Sequence, residues 1–196
     1  AHGFHNFANN MALNYEVYVT NGLASPNGAG NSLGSDGNAD IRNGFRRDNN
    51  NDKAISGRVG FSPMLGLEAG FSAYTSDLAS NGAGDNRITI IGGDLRYQSK
   101  HWEPGNWLVG PLEFEGEIYK TFLDAAKNGG VGGQMGYYVQ GNFHWFPAPF
   151  RKALPEATFT NMIRFNYVDT DTNDSDERKR LEIGMNFRPI EPFVIK

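Results

Sequence analysis

The sequence predicts an all-β chain, in which antiparallel up-and-down strands form part of a transmembrane β-barrel. Three observations predict it. Apolar and polar residues alternate with period two in segment after segment, while helical periodicity is nearly absent. Polar, glycine-rich connections alternate with connections rich in proline and aromatic residues, as the two ends of a meander would. Aromatic residues gather at two levels about one strand length apart, the pattern that the two interfaces of a bilayer select.

Each strand follows from its own alternation. In Met11–Asn21, Leu13, Tyr15, Val17 and Val19 share one face. Lys53–Ser62 sets Ile55, Val59 and Phe61 against Arg58. Leu65–Thr75 sets Leu65, Leu67, Ala69, Phe71 and Ala73 against Glu68, Ser72 and Tyr74. Arg87–Gln98 alternates Asp94, Arg96 and Gln98 with Leu95 and Tyr97, but its "ITII" start is apolar on both faces and breaks the pattern. Gly110–Lys120 puts Glu113, Glu115 and Glu117 on one face and Phe114, Gly116 and Ile118 on the other. Gln134–Trp145 alternates Met135, Tyr137, Val139, Phe143 and Trp145 with Gln134, Tyr138, Gln140, Asn142 and His144. Thr158–Val168 sets Phe159, Ile163, Phe165 and Tyr167 against Arg164 and Asn166, and Arg180–Arg188 sets Leu181, Ile183, Met185 and Phe187 against Glu182, Asn186 and Arg188. A ninth strand starts at Phe193.

The 196 residues read as one barrel segment, with residues 22–52 a long polar loop expected on the extracellular side. The tryptophans Trp102, Trp107 and Trp145, with Phe61, Phe146, Phe150, Phe187 and Phe193, mark the proline-rich end; Tyr74, Phe122, Tyr137 and Tyr167 mark the other. Eight strands closed on themselves would leave an interior just filled by side chains, too narrow for so many charges. A barrel of about 16–18 strands leaves an aqueous channel, so the first and last strands are expected not to pair with each other.

Composition removes several functions. The net charge of −4 offers no basic surface to nucleic acid. No apolar run reaches the length of a transmembrane helix, a test that barrel strands escape because they need only about 9–11 alternating residues. With no cysteine, disulfide and thiolate chemistry are absent. No cofactor fingerprint is present, and no catalytic or metal-binding set is expected. Gly30–Gly34 spells G-x-S-x-G, but in a glycine-rich loop without the strand-to-helix elbow that the motif needs. Asp169–Glu177 has calcium-loop spacing at Asp169, Asp171 and Asn173, yet the sixth position is Asp174 and the twelfth Arg180, so it reads as a solvated acidic loop. Asp48–Asp52 reads the same way.

Alternation alone does not say which face points outward. The mixed polar face of Gly, Asn, Gln, Ser, Tyr, Arg and Glu, poor in lysine, favours an apolar face in lipid and a polar face lining water. "LNYEVYVTNGL", "NNNDKAISGRVGFSPMLGLEAGFSAY", "IIGGDLRYQ", "GPLEFEGEIYK", "GYYVQGNFHWF" and "RLEIGMNFRPIEPFVIK" resemble bacterial outer-membrane porins of the phosphate-selective porin O and P type. That resemblance implies a large barrel in the outer membrane, a water-filled pore, a homotrimer, and contact with the lipid bilayer and lipopolysaccharide. This chain covers only about half of such a barrel. The expected function is passive diffusion of small hydrophilic solutes or ions, with no bond made or broken. Alternatives are a barrel serving as scaffold or sleeve for another protein, and a soluble β-barrel binding protein. The expected pore-lining residues are Arg58, Glu68, Asp94, Arg96, Glu113, Glu115, Glu117, Gln140, Arg164, Glu182 and Arg188. Within that set, the three glutamates either attract cations or are absorbed by cross-strand pairing with arginines.

Overall fold

The computed structural model describes residues 1–23, 53–78, 87–99, 108–124, 133–173, 176–190 and 193–195. Ten strands form one antiparallel sheet in which each pairs only with its neighbours in sequence. They are β1 (His2–Asn6), β2 (Ala12–Asn21), β3 (Lys53–Met64), β4 (Leu67–Asp77), β5 (Arg87–Gln98), β6 (Leu108–Leu123), β7 (Gln134–Trp145), β8 (Thr158–Asp169), β9 (Arg178–Ile190) and β10 (Phe193–Ile195). β10 is paired to β9 and β1 to β2, and the sheet does not close between its two ends.

The count of eight strands and the start of a ninth is thus corrected to ten. The extra one is β1, whose "HGFHN" carries no alternation. It is held by the ladder from His2↔Glu16 to Asn6↔Ala12, and by the Ala1 nitrogen donating to the Val17 carbonyl at 2.7 Å. Several strands also outrun the alternating segment that predicts them, because a backbone ladder continues whatever the side chains are. Leu65 falls in the opposite sense: it lies with Gly66 in the two-residue link between β3 and β4. Gly66 sits at φ +87°, a left-handed conformation that glycine adopts without strain.

Proline places the irregularities. The register shifts between Phe61 and Met64, across Pro63, and between Leu108 and Leu112, across Pro111. Proline has no N–H to give the ladder, so pairing slips there.

The two faces differ in exposure. Leu181, Ile183 and Met185 are 61%, 78% and 58% exposed, and Val19, Ile55, Phe71, Leu95, Ile118 and Val139 on the same face are exposed as well. Aromatic rings stack along this face at two levels. Trp145, Phe159 and Phe187 form one ladder, with centroids 4.9 and 4.6 Å apart, and Tyr137 stacks on Tyr167 at 5.1 Å for the other. Tyr74 does not join that second level: it lies on the opposite, polar face, where its hydroxyl donates to Ser76 Oγ at 3.0 Å. Trp102 and Trp107 lie outside the described residues, as do Gly30–Gly34 and Asp48–Asp52.

The small buried core sits on the polar face. Leu78, Ile88 and Leu123 pack together there, with Leu23, Tyr74 and Ile90 against them. This explains "ITII": Ile88 and Ile90 face the polar side, but at the end where the chain leaves β2 and β4, and they make a dry patch there.

Candidate functional site

Register places all eleven expected pore residues on one face. Six of them fall on a single row across neighbouring strands, Glu68↔Arg96↔Glu115↔Gln140↔Arg164↔Glu182, with charges of alternating sign broken by one amide. Asp94 and Glu117 face each other one row towards the β2–β3 end, and Glu113 lies one row towards the other. Arg188, opposite Thr158, is set further off and has no ionic partner among the described residues.

Arg58 departs from its register. Its cross-strand neighbour is Glu16, yet its guanidinium reaches two rows along the face. Nη2 donates to Asp94 Oδ1 at 2.6 Å and to Glu68 Oε1 at 2.9 Å, Nε donates to Asp94 Oδ2 at 3.1 Å, and Nη1 donates to Asn14 Oδ1 at 3.2 Å. The fork meets Asp94 with two parallel bonds, the geometry in which arginine binds carboxylates best. Glycine makes the room. Gly60 and Gly70 are paired, and a Cβ on Gly70 would strike Asp94 and the Arg58 guanidinium; one on Gly60 would lie 2.8 Å from Arg58 Nη1. One arginine is thus clamped by two carboxylates.

Arg164 is held differently. Its Cζ lies 3.8 Å from the centre of the Tyr138 ring, and Nε donates to Asn166 Oδ1 at 2.8 Å. Its row neighbour Glu182 instead accepts from Arg180 at 3.3 Å, so Arg164 has no ionic partner among the described residues.

The glutamate row divides. Glu115 approaches Arg96 Nε at 3.6 Å. Glu113 accepts from Gln98 at 3.3 Å and Asn142 at 3.1 Å, and lies 3.5 Å from His144 Nε2, whose Nδ1 meets the Thr160 hydroxyl at 2.8 Å. Glu117 is exposed and has no ionic partner among the described residues. Cross-strand pairing therefore absorbs Glu115 and leaves Glu117 open. His144, Asn142, Thr160 and Tyr138 join the site; alternation already puts Tyr138, Asn142 and His144 on the polar face, and Thr160 follows from the same even spacing on β8.

The acidic loop uses its own carboxylates. Asp176 accepts from the backbone N–H groups of Thr170 and Asp171 and from the Thr170 hydroxyl, Asp169 accepts from Asp171 N at 3.2 Å, and Asp171 accepts from Asn173 N at 3.0 Å. Asp174 lies outside the described residues. Among the described residues no group of three or more histidine, aspartate or glutamate side chains is placed to hold a metal.

Comparison with protein-family models, with curated proteins and with solved structures found no significant match, so the likeness to porins rests on the sequence segments alone.

Proposed function

We propose that the chain is part of an outer-membrane β-barrel that passes small hydrophilic solutes or ions by diffusion. One observation carries the reading: the apolar face is exposed along its length, while the charged face is sheltered around Arg58, Glu68, Asp94, Glu113, Glu115 and His144 and open at Arg96, Glu117 and Arg180. The side chains of Glu113 and His144 are 19% exposed, against 78% for Ile183. A water-soluble sheet is built the other way round, and contiguous exposed apolar patches beyond a few hundred Å² mark contact with another medium or partner. The two aromatic levels agree in height. Tyr137 and Trp145 are about 26 Å apart along β7 at ~3.3 Å per residue, or about 20 Å once a strand tilt of ~40° is allowed for, near the ~25 Å apolar band of such barrels.

Ten strands with both edges unpaired suit a segment of a wider barrel of about 16–18 strands, whose lumen is wet. Water also removes the difficulty of the row of carboxylates, which would repel one another in a dry interior. Passage is then sieving by width and by the local field. Conductance across a planar bilayer tests this. Converting Glu113, Glu115 and Glu117 to glutamine should move the reversal potential away from cations with folding intact, and Glu117→Gln alone should account for most of the change. A folded protein that inserts but does not conduct would favour the scaffold role; one that stays monomeric without detergent would sink the membrane reading.

A further inference from the structure

A second feature of the polar face borders the charged row at Glu68 and Arg96, at the end where β1 turns into β2. A cup of about 720 Å³ opens there, within the ~300–1,000 Å³ typical of small-molecule sites. One wall is the exposed pair Phe4 and Phe7; the rest carries the side-chain amides of Asn6, Asn9, Asn10 and Asn14, with apolar surface from Met11, Met64, Leu65 and Leu67 and the opposite charges of Glu68 and Arg96. Asn9 and Asn10 stand in succession in the left-handed region, at φ 68° and 62°, a conformation that asparagine tolerates better than most residues. The side chains of Asn6, Asn9 and Asn10 make no hydrogen bond among the described residues, and Asn14 spends only its Oδ1, on Arg58. Each amide therefore keeps both donors, and three also keep their acceptor.

The two charged side chains that line the cup are of opposite sign and each has a partner: Glu68 with Arg58 at 2.9 Å, and Arg96 with Glu115 at 3.6 Å. The site thus offers little net field and many neutral groups that both donate and accept, next to flat aromatic faces. Hydroxyl groups, which themselves both donate and accept, match the amides; the C–H face of a pyranose matches the phenyl rings. The geometry points to a binding subsite for a small neutral saccharide. Because Phe4, Asn6, Asn14, Glu68, Arg96 and Gln98 of its lining stand on the polar face, its ligand is a dissolved sugar and not a lipid headgroup.

Binding here does not rest on conduction, so the two readings fail separately. The test is a titration of the full chain in detergent micelles with maltotriose, followed through the side-chain amide resonances of Asn6, Asn9, Asn10 and Asn14, with inorganic phosphate as the charged probe. Saturable shifts with maltotriose and none with phosphate are expected. Phe4→Ala and Asn10→Gly, the second keeping a backbone free to stay left-handed, should each weaken binding by roughly tenfold, as the loss of a ring contact or of a paired amide does, while resonances of β5 to β9 stay in place. Should either variant unfold, Asn9→Gly replaces it. Shifts with phosphate alone, shifts that never saturate, or affinity untouched by the folded variants would overturn the inference.

Discussion

The polar face is built in two manners. From β3 to β5 it is fastened: Arg58 is clamped between Glu68 and Asp94 over a glycine floor, and Ile88 seals one end against Leu78 and Leu123. From β7 to β9 it is loose: Arg164 lies on Tyr138 and Arg180 is largely exposed beside Glu182. The same residue type thus does different work a few strands apart. A guanidinium between two carboxylates adds order and little field. One resting on an aromatic ring leaves its charge to be felt by whatever passes.

Three experiments break or sharpen this contrast. The largest effect belongs to Ile88, which is fully buried. Ile88→Ala should cost about 2–4 kcal/mol, since it empties a packed site, while Ile163→Ala on the exposed face of the loose half should cost less. Urea unfolding in lipid vesicles measures both, and equal losses would show that the first half is not the fastened one. Next, Arg58→Met should cost roughly 1–3 kcal/mol, because it leaves Glu68 and Asp94 uncompensated at a third exposure. Arg164→Met should cost less than about 1 kcal/mol, the scale of an accessible cation–π contact. The smallest effect separates field from fastening. Arg58→Met together with Asp94→Asn removes one charge of each sign and should leave the reversal potential where it is, whereas Arg164→Met should move it towards cations. A shift of similar size in the double variant would mean that Arg58 and Asp94 do not cancel each other's field.

Much of this face was legible in the sequence. Period-two alternation fixes which side chains share a face, and that alone brings Glu68, Arg96, Glu115, Gln140, Arg164 and Glu182 to the polar side. Partners were not legible. Arg58 bypasses Glu16, its neighbour across the ladder, for Asp94 two strands away, and the reason is empty volume over Gly60 and Gly70. Such a choice depends on what the neighbouring strands leave vacant, which no single strand records. β1 escaped for a similar reason, since its five residues carry no period and are placed by what β2 offers. The double-sided "ITII" looked like a flaw because alternation assumes that each face is uniform from end to end, and Ile88 lies where the polar face turns dry.

The meander has a consequence for how the chain comes together. Every pairing is between neighbours in sequence, so the distance the chain must close is set by one connection at a time. β3 and β4 are joined by Leu65 and Gly66 alone, while roughly thirty residues separate Asn21 from Lys53, about four doublings in length and so ~2.5 kcal/mol more closure entropy by the usual logarithmic rule. The hairpin of β1 and β2 is therefore the dearest to dock, and the ten-pair ladder from Ala12↔Ser62 to Asn21↔Lys53 is what offsets that closure.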